Sequence, residues 1–137
     1  MKEKNIKKGI KLVKIIEIAF NKIVIEAVLN DSITAQKVLK ALPIKSDINL
    51  WGSEVYFEIP VEAELENGKE LMDIGNIAFW PPGNAFCIFF GPTPASIDTR
   101  PRAASAVTVI GKITGEKSIG KIKKIKSTDI MEIRVKK

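Results

Sequence analysis

The sequence has no histidine among its 137 residues and a single cysteine, and it carries no Asp, Glu, Lys or Arg from Ile74 to Ile97. Without an imidazole, Ser-His and Cys-His nucleophilic sites are excluded, as are most zinc and copper sites, because each needs that ring as base or ligand. Cys87 alone cannot close an internal disulfide, and nothing at the amino terminus joins an unbroken apolar core to a small-residue cleavage site. A reducing cytoplasm is the expected compartment.

The uncharged stretch is the most informative of these absences. Charged residues make up 28% of the chain, so 24 residues of average composition would hold about seven. The segment reads IGNIAFWPPGNAFCIFFGPTPASI, and Pro81-Pro82-Gly83 divides it into two apolar runs, each too short to cross a bilayer as a helix. Two strands buried on both faces and joined by a turn fit it, and such strands belong at the centre of a closed or covered sheet.

The net charge of +6 resides in the flanks. Residues 1 to 14 carry +5 and residues 112 to 137 carry +6, which leaves the middle at −5. Nucleic-acid modules interleave basic side chains with exposed aromatics on one face, whereas here the aromatics occupy the uncharged middle. Solvated flanks are the simpler reading, and neither nucleic acid nor membrane is expected as a partner.

Most of the remaining chain has strand periodicity. Residues 11–20 and 22–29 are rich in β-branched side chains and place Ile16, Ile18 and Phe20, then Ile23, Ile25, Ala27 and Leu29, at period two, which predicts a hairpin through Asn21. Asp31 and Ser32 offer an N-cap, Ala35, Val38, Leu39 and Leu42 follow at helical spacing, and Pro43 ends the run. One substantial helix is predicted there.

Residues 54–66 alternate most clearly. Val55, Phe57, Ile59, Val61, Ala63 and Leu65 share a face expected in the core, while Glu54, Tyr56, Glu58, Pro60, Glu62, Glu64 and Glu66 share one expected in water. Pro60 lacks a backbone donor and predicts a bend, bulge or edge. Asn67-Gly68 supplies a turn, PTPASIDTRPRAAS reads as a loop, and strands are predicted at 106–113 and 130–136. Between those strands, Ile119, Ile122 and Ile125 suit a short helical turn or a lysine-covered edge.

Three blocks, LWGSEVYFEIPV at 50–61, IGNIAFWPPGNAFCIFFGPTP at 74–94 and ASAVTVIGKI at 104–113, resemble the small prokaryotic cyclophilin-like family of uncharacterised proteins. The resemblance implies a mainly β domain, a closed antiparallel eight-stranded cyclophilin-like β-barrel with one substantial helix. It covers residues 12–137 and leaves residues 1–11 as a lysine-rich extension. The prolyl isomerases of this fold carry Phe-His-Arg and Gln-Gly-Gly-Asp segments that are missing here, so no catalytic residue carries over.

A binding module for a peptide or small molecule is therefore the leading expectation, with no cofactor and no metal site. Trp51, Tyr56 and Trp80 have a polar handle on an aromatic body, and both tryptophans border turn signals. The ligand surface is placed at Trp80, Phe90, Thr93, Arg100 and Arg102, where a proline-rich loop can present guanidinium groups. Cys87, among Phe86, Ile88 and Phe89 and with no basic neighbour, reads as an inert buried thiol. The alternatives are a peptidyl-prolyl isomerase of low activity without the usual motifs, and a structural subunit or homo-oligomer.

Overall fold

A computed structural model describes residues 14–137. The extension assigned to residues 1–11, and the first three residues of the segment read as a strand at 11–20, lie outside the described residues.

Two strands, β1 (Lys14–Phe20) and β2 (Ile23–Leu29), form the expected hairpin. Asn21 and Lys22 both take left-handed backbone angles, with φ of 45° and 67°. That is the twist a two-residue hairpin turn requires. Helix α1 (Ile33–Ala41) follows, and the Ser32 hydroxyl accepts from the Ala35 N–H at 3.0 Å as its N-cap. Its start is also held from a distance. One Glu66 oxygen accepts from the Ile33 N–H, and the other accepts from the N–H and hydroxyl of Thr34. Glu66 thus leaves the solvated row in which its phase puts it, to satisfy donors that the helix cannot pair internally.

The chain continues through β3 (Ile44–Asp47), β4 (Asn49–Trp51), β5 (Glu54–Glu58) and β6 (Lys69–Leu71). Next come β7 (Asn76–Trp80), β8 (Ala85–Phe89), β9 (Arg102–Thr114), α2 (Ser118–Ile122) and β10 (Ile130–Val135). All pairings are antiparallel, in the order β3-β10-β1-β2-β9-β7-β8-β5-β4, with β6 joining β9 off that path. The fold is mainly β with one substantial helix, as expected. The strand count and closure differ from the expected ring of eight, because ten strands are present and the hydrogen-bonded path is open between β3 and β4.

Three further expectations change in detail. The alternating run of residues 54–66 is a strand only to Glu58. Past it, the Val61 N–H donates to the Ile59 carbonyl at 2.8 Å, a tight turn centred on Pro60 that keeps Ile59 and Val61 buried while Leu65 is exposed. The strand predicted at 106–113 begins at Arg102, so part of the expected loop is ladder. Of the three isoleucines at three-residue spacing, Ile119 and Ile122 lie in the helical turn α2, which buries Ile122, and Ile125 follows it, also buried.

The uncharged segment behaves as its composition demands. Strand β7 runs into a single 3-10 turn at Pro81–Gly83 and returns as β8, whose five residues are all buried. Ile77, Phe79, Phe86 and Ile88 point into the main core with Ile16, Ile18, Val55, Phe57 and Ile110. Phe57 and Phe86 stack there with ring centroids 5.4 Å apart. Ala78, Ala85, Cys87 and Phe89 point the other way, into a second, smaller cluster with Met72, Ala103 and Val107. That second cover exists because β9 changes partner along its length. Its far end pairs β2 and β7, whereas its first residues leave the main sheet to pair β6. Among the described residues no helix is long and apolar enough to cross a membrane.

Candidate functional site

The cover over the outer face is incomplete, and the gap is a pocket of about 250 Å³ lined by Trp51, Glu54, Tyr56, Trp80, Cys87, Ala103, Ala104 and Val107. Five of its walls come from different strands. Trp51 ends β4 and pairs with Glu54 at the start of β5, across the turn Gly52-Ser53. Tyr56 pairs with Cys87 of β8, Trp80 ends β7, and the small residues belong to β9.

The hairpin that carries Trp51 and Glu54 is clamped from behind. Gly52 has φ of +58°, and a Cβ there would come within 2.9 Å of both Pro94 Cδ and Thr93 Cα, so only glycine fits. The Ser53 N–H donates to the Pro92 carbonyl, and the Ser53 carbonyl accepts from the Phe90 N–H, each at 2.9 Å. Trp80 is fixed from two sides. Its indole N–H donates to the Ser105 hydroxyl at 2.7 Å, and Gly83 lies so close to the ring that a Cβ would meet it at 2.8 Å.

Glu54 is the unusual member. It is 6% exposed, where its strand phase predicts a solvated carboxylate. Desolvation raises its pKa from the ordinary 4.5 to about 7, and the neighbouring Cys87 thiol opposes that rise only in part. The thiol is pushed well above its usual range, first by burial and then by the neighbouring Glu54 charge, and Cys87 is buried as expected.

The residues assigned from sequence fall in different places. Trp80 lines the pocket. Phe90 packs into the main core on the opposite side of the sheet. Thr93 is buried, and its hydroxyl donates to the Arg102 carbonyl at 2.5 Å, tying the proline-rich loop to the first residue of β9. Arg100 is exposed and paired with Asp98 at 2.8 Å. Arg102 is half-buried, 3.6 Å from a Glu70 oxygen, and its Nε is buried without a hydrogen-bond partner. Thr93 and Arg102 are therefore joined behind the pocket wall, and Arg100 stands apart from them.

Sequence reasoning singles out Trp51 and Tyr56 as aromatics with a polar handle but puts neither in the ligand set, and it misses Glu54. The available signal was Tyr56, an aromatic on the nominally wet face, in the same phase as Glu54.

A family model described as cyclophilin-like matches residues 14–135. The chain belongs to the cyclophilin-like family. A solved relative in solution, a hypothetical protein from Archaeoglobus fulgidus, is 35% identical, with a TM-score of 0.73 over 90% of this chain and 95% of that one. No curated protein matches the sequence.

Proposed function

We propose that this cyclophilin-like protein is a binding module whose ligand enters the outer-face pocket. The observation that carries the reading is the convergence of Trp51, Tyr56 and Trp80 from three strands around one buried carboxyl. An apolar concavity with a few fixed polar groups is the usual form of a ligand site. Trp80 is the contact residue retained from the sequence reading, while Thr93 and Arg102 support the wall rather than touch the ligand.

The same reading treats the scaffold as an eight-stranded barrel. Its support is that the ladder ends on β3 and β4, which only Ile48 separates in the chain. Counted as one bent strand, with β6 set aside, they complete a ring of eight.

The test is a thermal-shift screen of metabolites and short peptides, followed by titration of each hit against Trp51→Ala, Trp80→Ala and Arg100→Ala. Hits should lose affinity in the first two variants and keep it in the third. Hits indifferent to both tryptophans would overturn the reading.

A further inference from the structure

The ligand class can be narrowed from the charge of the pocket, an inference that rests on the binding reading above. The chain has 22 lysines and arginines, yet among the described residues none lines this pocket, and Glu54 faces aromatic and small apolar side chains. A buried carboxylate without a cation is costly, and proteins normally supply one. Here the neighbours are Trp51, Tyr56 and Trp80, three rings whose faces attract cations.

We propose that the pocket receives an organic cation, an alkylammonium group seated among Trp51, Tyr56 and Trp80 with Glu54 as its counter-ion. An anion is disfavoured by the carboxyl and by the lack of a basic partner. A hard metal ion needs six or more oxygen ligands, and the lining offers a single carboxyl group. A neutral ring would leave Glu54 uncompensated. A volume of about 250 Å³ lies below the roughly 300–1,000 Å³ of drug-sized sites, so it suits a head group and not a whole cofactor. The ring of Trp80 is already held by Ser105 and Gly83, which reduces the ordering that binding would otherwise require.

The raised Glu54 pKa agrees with a site that lacks its cation. The other titratable groups facing Glu54 across the pocket are Cys87 from β8 and Tyr56 from β5. Neither is cationic in any protonation state.

The experiment titrates the full-length protein at pH 8 with choline and with 3,3-dimethylbutan-1-ol, its uncharged isostere, and follows tryptophan fluorescence. Choline should bind at least about tenfold more tightly. Glu54→Gln should remove that preference, and choline should weaken as the pH falls from 8 to 6. A trimethyllysine peptide binding more tightly than choline would identify a protein side chain as the source of the cation, and the reverse order a free metabolite; either supports the proposal. If the isostere binds as well as choline, the cation is wrong and the binding reading survives. If neither probe binds, the cation proposal fails, and the binding reading stands or falls by the Trp51→Ala and Trp80→Ala titrations of the screen hits. The choline comparison uses the wild-type protein, so it holds even if Glu54→Gln does not fold.

Discussion

Glu54 on β5 lies beside Cys87 on β8, on the face of the sheet opposite the main core, and the Cys87 thiol donates to the Ala85 carbonyl of its own strand at 3.8 Å. A carboxyl so placed keeps its proton to about pH 7 when folded but loses it near 4.5 when unfolded. Below 4.5 both states are protonated and the burial carries no charge penalty. Between 4.5 and 7 the unfolded chain alone ionises, so stability should fall as pH rises, by about 3 kcal/mol in all. The chain has no histidine to produce a transition in that window. Denaturant unfolding at pH 5 and pH 8 should show the fall in wild type and its absence in Glu54→Gln. Equal pH slopes in the two proteins would contradict the burial of that carboxyl.

Glu66 titrates in the opposite sense. The Thr34 N–H is the largest cause of its lowered pKa, with further hydrogen bonds from Ile33 and the Thr34 hydroxyl. A depressed folded pKa gives stability that is present above 4.5 and lost as pH falls through the folded value. Glu66→Gln should cost about 1 kcal/mol at pH 7 and much less in acid. The loss of helix α1 can be followed by circular dichroism. A variant as stable as wild type at neutral pH would remove Glu66 as a helix anchor.

Cys87 should resist thiol reagents. It is 2% exposed, and its thiol is held protonated by burial and by Glu54. A disulfide reagent at pH 8 should react fully in denaturant and negligibly in the native state over the same time. Rapid native reaction would mean that the outer cluster opens easily.

The two faces of the central strands should respond differently to truncation. Phe86 is fully buried and stacked on Phe57, so Phe86→Ala should cost about 3–5 kcal/mol. Trp51 is only half-buried at the pocket rim, and Trp51→Ala should lower affinity for any pocket ligand with far less effect on unfolding. Comparable destabilisation by both would make Trp51 a core residue.

Prolyl isomerisation should not exceed the buffer rate in a protease-coupled proline-peptide assay at micromolar protein. The arginine such catalysis requires to hydrogen-bond the amide nitrogen has no counterpart in the pocket lining among the described residues. A rate above buffer that disappears in Arg102→Ala would restore the enzyme reading, since Arg102 Nε is the buried donor without a partner.

Period-two patterns made most of the strands legible from sequence, because Ile16, Ile18, Phe57 and Phe79 can satisfy only an inward phase. Ser32 and Pro43 bracketed the helix for equally local reasons. The site was less legible because the outward phase of β5 has two fates. Glu58 meets water, but Glu54 and Tyr56 lie beneath a cover to which the start of β9, remote in sequence, contributes Ala103, Ala104 and Val107. The uncharged run already required that cover, since Cys87 and Phe89 on the outer face of β8 could not be buried without one. Carrying the requirement one strand further, to β5, would have moved Glu54 out of solvent. Arg100 was misleading for a different reason: Asp98, two residues away, pairs with it.

Both tryptophans of the chain line the pocket, so the two indole N–H signals in a proton–nitrogen NMR spectrum report on it without background from elsewhere. Titrating tetramethylammonium chloride into the protein at pH 8 should shift both signals saturably, with sodium chloride at equal concentration as the control. Indole signals that follow the sodium control at every concentration would contradict a pocket built from Trp51, Trp80 and Glu54 to hold a cation.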